Sequence, residues 1–421
     1  MERNQKKYKV DSITYSVALH LPNIFAKSKE SEDFLGAQYS PQEMLEKLIA
    51  FDTVSSKSNL ELIKFVQSYL KEHNIKSTLV YNSDETKANL FAQIGPNEPG
   101  GVILSGHTDV VPTKGQDWNT SPFSLTKKNN RFYGRGTCDM KGFNALVLAA
   151  VPAMLKADLK RPIQIALSYD EEVGCAGAPS MIKAMSSELP KAGVVIVGEP
   201  TLMKVVNGHK TSIGLTTRIK GFEVHSSLMD RGVSAVMTAS KLVTWIARRT
   251  EENMKSSPRE IDLLFDPPYT TLHVGMINGG TAANITAKDC KFSTDIRCLP
   301  SEKADTWIQE YEEYAASLRK QIRKVNEEAD ILIEKQHWVP GLRPEENGAA
   351  EQMVTRITGE NNAEVVSYGT EAGQFQEAGY SAIICGPGSI NQAHQPNEYI
   401  SEDQLRKGEA FIGRLLKECS M

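Results

Sequence analysis

The chain has 421 residues, 40% of them apolar and 24% charged, enough for two or three domain-sized units around a large core. Its 48 basic and 52 acidic residues leave a net charge of −4, too near neutral for a nucleic-acid or membrane-surface partner, and no apolar run approaches the ~18 residues that cross a bilayer. Six cysteines (Cys138, Cys175, Cys290, Cys298, Cys385 and Cys419) stand singly, which argues against a disulfide-stapled secreted scaffold and predicts reduced thiols in the cytoplasm.

Residues 1–38 start basic, with Arg3, Lys6, Lys7 and Lys9. Val17–Leu21 is too short and interrupted for a signal-peptide core, and Glu2 and Asp11 argue against a transit peptide. This stretch reads as an N-terminal extension of unknown role. Ser40 and Pro41 then open a helix as N-cap and first helical residue, and Leu60, Ile63, Val66 and Leu70 keep the apolar stripe of a second. Strand-like runs follow at 77–81, 90–94, 102–105, 163–168 and 194–198, alternating with helices expected at 142–157 and 179–186. That order predicts an α/β fold, a doubly wound and mostly parallel sheet with helices on both faces.

Past Glu199 the pattern changes. A strand at 213–220, a helix at 235–251, strands at 271–277 and 290–297, a helix at 305–323 and a strand at 330–335 spell βαββαβ, the ferredoxin-like order. The expected organisation is a catalytic domain in two parts, 39–208 and 339–421, interrupted by an inserted domain at 209–338.

Seven ligand-type residues lie in five short motifs: His107 and Asp109 in Gly-His-Thr-Asp, Asp139 in Gly-Thr-Cys-Asp-Met-Lys-Gly, Glu171 and Glu172 in Asp-Glu-Glu, Glu199 in Gly-Glu-Pro, and His394 in Gln-Ala-His-Gln-Pro-Asn-Glu. Each alone reads as a turn or a solvated strand end. Four of the five, however, come directly or closely after an apolar β-rich run, and the carboxyl ends of strands in an open α/β sheet form one ligand-binding rim. Carboxylates mixed with imidazole suit zinc or a similar divalent ion, and more than four such ligands point to two ions. The reading is a two-metal hydrolase.

The set resembles the dinuclear zinc amidohydrolases and exopeptidases, a family that includes acetylornithine deacetylase, succinyl-diaminopimelate desuccinylase, aminoacylase and glutamate carboxypeptidase. The resemblance runs from about Ser40 to the C-terminus. Within the family, Gly136–Phe143, Gly369–Gly373 and Gly386–Glu398 look most like the acetylornithine deacetylase branch. It implies two divalent ions, Zn2+ or Co2+, with Asp139 bridging them, His107 and Glu199 completing one, and Glu172 and His394 the other. Under that assignment Glu171 adjoins a ligand without being one, which makes it the candidate general base. It makes Asp109 the carboxylate that orients His107, the i, i+2 spacing returning it to the same face. By the same resemblance, His225 reaches across a homodimer interface of the inserted domain to the oxyanion, and Asn284 and Arg297 bind the substrate's α-carboxylate. Ala287 stands where the family often has proline, which leaves the loop geometry there open. The expected activity is hydrolysis of N-acetyl-L-ornithine to L-ornithine and acetate in arginine biosynthesis, with a desuccinylase, aminoacylase or dipeptidase as the alternative. Glu371 is the candidate partner for ornithine's δ-ammonium. His20, His73, His209, His273 and His337 carry no comparable pattern and read as solvated or core histidines.

Overall fold

The structure, a computed structural model, describes residues 36–421; most of the expected 1–38 extension lies outside the described residues. Its first helix, α1 (Pro41–Ile49), starts where the sequence predicts. The Ser40 hydroxyl accepts the Glu43 N–H at 3.3 Å, and the Glu43 carboxylate accepts the Ser40 N–H at 2.8 Å. This reciprocal cap satisfies two donors that a helix start leaves free. Met44, Leu45, Leu48 and Ile49 form the buried stripe.

In chain order the strands are β1 (Ser77–Tyr81), β2 (Ala88–Ile94), β3 (Val102–His107), β4 (Thr126–Lys128), β5 (Arg131–Tyr133), β6 (Ile163–Ser168), β7 (Val194–Pro200), β8 (Val206–His209), β9 (Thr211–Lys220), β10 (Thr271–Gly279), β11 (Asp289–Cys298), β12 (Asp330–Val339), β13 (Glu364–Val366), β14 (Ala382–Gly386) and β15 (Tyr399–Ser401). The remaining helices are α2 (Leu60–Glu72), α3 (Lys141–Ala149), α4 (Val151–Lys156), α5 (Ala178–Glu188), α6 (Ala235–Lys255), α7 (Ala304–Arg323), α8 (Ala349–Thr358), α9 (Ala372–Glu377) and α10 (Glu402–Cys419).

Eight strands form one sheet in the order β1-β2-β6-β3-β7-β14-β8-β13. Its centre, β6-β3-β7-β14, is parallel, and antiparallel pairs occur only toward the margins. The central strands are buried end to end, as expected where helices cover both faces. Ile103, Ala166, Val195 and Val197 pack with Met181, Ile182 and Met185 of α5 and with Ala372 and Phe375 of α9. Successive strand residues alternate in direction, and α3 contacts β3 and β7, with α1 and α10 packed on α3.

The smaller sheet has the order β10-β11-β9-β12, all antiparallel, which is the ferredoxin-like arrangement of βαββαβ. Leu242, Trp245 and Ile246 of α6 and Tyr311 and Leu318 of α7 close its core over Phe292 and Ile296. The chain then returns to the large sheet, where β13 and β14 add parallel to β8 and β7. Lys210 joins β8 of the large sheet to β9 of the smaller one, and Pro340 follows β12, the last strand of the smaller sheet.

Two expected elements differ. The helix expected over 142–157 is divided at Ala150, because Pro152 has no N–H for the Leu148 carbonyl. That carbonyl accepts the Tyr69 hydroxyl at 3.1 Å instead. The strand expected to stop at Lys335 continues to Val339 through a register shift at Lys335/His337.

Candidate metal centre

The rim position of each ligand-type residue follows from the strand order. β6, β3 and β7 lie side by side and parallel, so Glu171 and Glu172 just past β6, His107 ending β3, and Glu199 near the end of β7 emerge together. β14 lies next to β7, and the loop that follows it carries His394. α3 sits close above two of these ends. A Cβ at Gly106 would meet Asn144 Oδ1 at 2.3 Å, and one at Gly198 would meet the Phe143 ring at 2.1 Å, so each glycine lets the helix pack beside a ligand-type residue. Asn144 also donates from Nδ2 to the His107 carbonyl at 2.6 Å.

The Asp139 carboxylate stands between two imidazoles, with Oδ1 3.0 Å from His107 Nε2 and Oδ2 3.1 Å from His394 Nε2. Glu199 Oε1 is 3.7 Å from His107 Nε2, and Glu172 Oε2 is 2.9 Å from His394 Nε2. His107 offers a nitrogen within 4.8 Å of oxygens of Glu171 and Glu199, and likewise of Asp139 and Glu172. Burial pulls His107 down, but the Asp139 hydrogen bond and the charges of Glu199, Asp139 and Glu171 outweigh it and raise it well above the usual imidazole value. Hydrogen bonds to Asp139 and Glu172 push His394 up to about 10. Burial and neighbouring negative charge push Glu171 up to about 8 and Glu172 to about 7, and hold Glu199 well above the usual carboxylate value. Burial acts on Asp139 in the same direction, yet its two imidazole partners hold it below the usual carboxylate range.

Four carboxylates facing two imidazoles are short of positive charge. Glu172 Oε1 and Glu199 Oε1 are buried without a hydrogen-bond partner, an arrangement that costs free energy unless something cationic fills it. The oxygen and imidazole donors fit divalent ions of the zinc or cobalt type.

The sequence pattern of peptidase family M20/M25/M40 matches residues 103–418. The chain belongs to that family. It is thereby a metal-dependent hydrolase. An acetylornithine deacetylase of Myxococcus xanthus is 35% identical over 379 residues, 88% of this chain and 95% of the relative. One from Pasteurella multocida (strain Pm70) is 32% identical over 382 residues, 89% and 96% of the two chains. Among solved structures, an M20 family metallo-carboxypeptidase from Sulfolobus solfataricus superposes with a TM-score of 0.71 at 18% identity, covering 91% of this chain and all of that one.

In this M20 chain the centre opens into a cavity of about 390 Å3, lined by Asp139, Glu171, Glu172, Glu199 and His394 and, from the smaller domain, by Arg297. His225 and Asn284 lie elsewhere. They adjoin one another, Ser226 N–H donating to the Asn284 carbonyl at 2.9 Å, and both are exposed outside the cavity.

Two expected roles are corrected. Asp109 does not orient His107 through its carboxylate, whose Oδ1 is 3.7 Å from Nδ1; its backbone carbonyl accepts from Nδ1 at 2.8 Å. The carboxylate instead accepts the Ser55 hydroxyl at 2.7 Å and the N–H groups of Glu171 and Glu172 at 3.1 and 3.3 Å, anchoring the turn that presents both glutamates. Glu371 does not reach the cavity. It is 1% exposed, and its two oxygens accept the hydroxyls of Ser105 and Ser168 at 2.7 and 2.6 Å.

Sequence reasoning also missed His337. It lines the cavity with Ser212 and Tyr368, its Nε2 3.0 Å from Ser212 Oγ. Its ring packs against Gly214, and its Cβ lies where a side chain on Gly174 would go. The bulge at Lys335/His337 breaks the strand's alternation and hides this position from periodicity.

Proposed function

We propose that the chain hydrolyses N-acetyl-L-ornithine to L-ornithine and acetate, serving arginine biosynthesis, with two Zn2+ ions that Co2+ can replace. The observation that carries the reading is the Asp139 carboxylate, which offers one oxygen toward each imidazole. His107, Glu199 and Asp139 would hold one ion, and His394, Glu172 and Asp139 the other. When bound, the ions supply Lewis acidity toward the amide carbonyl and its attacking water.

Glu171 takes the proton from water and delivers it to the leaving amine. It lines the cavity beside the ligands, and Cys175 Sγ donates to its Oε1 at 3.1 Å. A carboxyl beside the ligands but outside the ligand set is placed to move a proton in both directions. Arg297 offers its guanidinium to the substrate's α-carboxylate from the cavity wall, steadied by Asp295 at 3.0 Å.

His225 and Asn284 serve the site of a second copy in a homodimer formed through the smaller domain. Support comes from their exposure and from the apolar surface around them. Phe222, Leu228 and Met229 flank His225, Val236 and Met237 start α6, and Met276 and Ile277 lie on edge strand β10, all exposed. A cytoplasmic location is proposed from six cysteines without a disulfide, and no helix among the described residues is long and apolar enough to cross a membrane.

One observation favours a second reading, a broader N-acyl-amino acid amidohydrolase or dipeptidase. The carboxylates that line the cavity, Asp139, Glu171, Glu172 and Glu199, all belong to the metal-facing set, so none is left over for a δ-ammonium. The test is turnover of acetylornithine, succinyl-diaminopimelate and acetylmethionine by purified protein, with metal analysis before and after chelation. Two ions per chain, loss on chelation, return with Zn2+ or Co2+ and preference for acetylornithine support the proposal. Full activity of chelated protein overturns the metal reading, and preference for another substrate overturns the acetylornithine one.

A further inference from the structure

We infer that Glu398 and its partners Arg135 and Gln116 form a positioning relay that sets the two ligands shared by or belonging to the His394 half of the centre. The inference rests on the two-ion reading proposed above. Glu398 closes the motif that carries His394, and the roles assigned so far leave it without a task. It is 1% exposed and accepts four hydrogen bonds. Oε1 takes the N–H groups of Cys138 and Asp139 at 2.9 and 3.1 Å, while Oε2 takes the Gly136 N–H at 3.0 Å and Arg135 Nη1 at 2.7 Å. Three of the four donors are backbone amides of the turn that ends in Asp139. One carboxylate thus fixes the height and tilt of the bridging aspartate.

The relay continues on the other side. The Arg135 guanidinium lies 5.1 Å from the Trp118 ring centre, donates from Nη1 to the Gln395 carbonyl at 3.3 Å, and donates from Nη2 to Gln116 Oε1. Gln116 Nε2 in turn donates to the His394 carbonyl at 2.8 Å. That contact falls on a backbone that needs support, because His394 has φ +63° and Asn397 φ +60°, both in the left-handed region. Residues with a Cβ are uncommon in that region, though Asn and His enter it more readily than most, and contacts such as this one favour the conformation. Asn397 is held too, its Oδ1 accepting the Asn119 N–H at 2.7 Å. His107, by contrast, is held without the relay, by the Asp109 carbonyl and by Asn144.

This asymmetry separates positioning from simple fold support. Gln116→Ala removes the hold on the His394 carbonyl and the oxygen that Arg135 Nη2 and Trp118 Nε1 share, and leaves all four donors to Glu398 in place. Glu398→Gln places an amide NH2 against backbone or guanidinium donors, and so disturbs the aspartate common to both ions. Calorimetry of metal-free protein with Co2+ reads the two affinities, and urea unfolding of the metal-free proteins reads the fold. Wild type should bind two ions. Gln116→Ala should keep one affinity and weaken the other ~10–100-fold, the usual effect of losing a ligand's support, with unchanged metal-free unfolding. Glu398→Gln should weaken both.

Wild-type affinities for both ions in Gln116→Ala overturn the inference, as does equal weakening of both in that variant. If Glu398→Gln does not fold, Gln116→Ala decides alone. A wild-type protein that binds fewer than two ions overturns the two-ion reading and this inference with it, whereas two ions with unchanged variants overturns this inference only.

Discussion

His209 gives the clearest route from structure to a measurable pH dependence. It ends β8, is fully buried, and its Nδ1 lies 2.9 Å from the Lys210 carbonyl. A carbonyl only accepts, so Nδ1 carries the proton in the neutral ring. Burial outweighs the pull of the Lys210 and Thr370 carbonyls, and Arg297 adds to it, lowering the imidazole from 6.5 to about 4. Between these values the unfolded chain binds a proton that the folded chain refuses. Stability is therefore present above pH 6.5 and is lost as pH falls toward 4, with no further loss from this group below that. At about 1.4 kcal/mol per pH unit, the loss comes to about 3 kcal/mol. His209→Asn keeps a donor for the Lys210 carbonyl and removes the titration. Urea unfolding of metal-free wild type and variant should be compared from pH 7.5 to 4. The cavity left by the smaller side chain adds a constant difference, so the informative quantity is its change with pH. The variant's deficit should shrink by about 3 kcal/mol across the window. Parallel stability curves would refute a buried neutral His209.

Other predictions concern the site. Glu171→Gln should retain both ions by metal analysis and lose hydrolysis by at least ~10², whereas loss of an ion with substantial turnover would exchange the roles of Glu171 and Glu172. Mixing inactive His225→Ala with inactive Glu171→Gln should restore activity after subunit exchange, because one hybrid site then has both groups intact; proven exchange without recovery would remove the homodimer role of His225. Glu371→Gln should lower kcat/KM for acetylornithine and acetylmethionine by the same factor, since the carboxylate ties Ser105 to Ser168 instead of facing the cavity. A selective ten- to hundredfold loss on acetylornithine, the size expected for a charge-assisted contact of ~1.5–3 kcal/mol, would return Glu371 to the substrate.

Which residues arrive at one rim was legible from the order of strands and motifs along the chain. Apolar runs of strand length directly or closely preceding His107, Glu171, Glu199 and His394, with helices between most of them, admit few arrangements other than a sheet whose carboxyl ends collect those residues. The βαββαβ order in the middle was legible for the same reason, since periodicity reports which residues turn toward a core. Tertiary structure decided where each group points once the strand has ended. Beyond that point backbone direction comes from loop contacts, which carry no period. Asp109 turned its carbonyl to the imidazole and its carboxylate to the Glu171–Glu172 turn; Glu371 was sealed by two serines from neighbouring strands; His337 entered the cavity through a bulge. The partners of the Asp109 carboxylate lie 54 to 63 positions away in the chain and the two serines of Glu371 203 and 266, and no local spacing encodes such meetings.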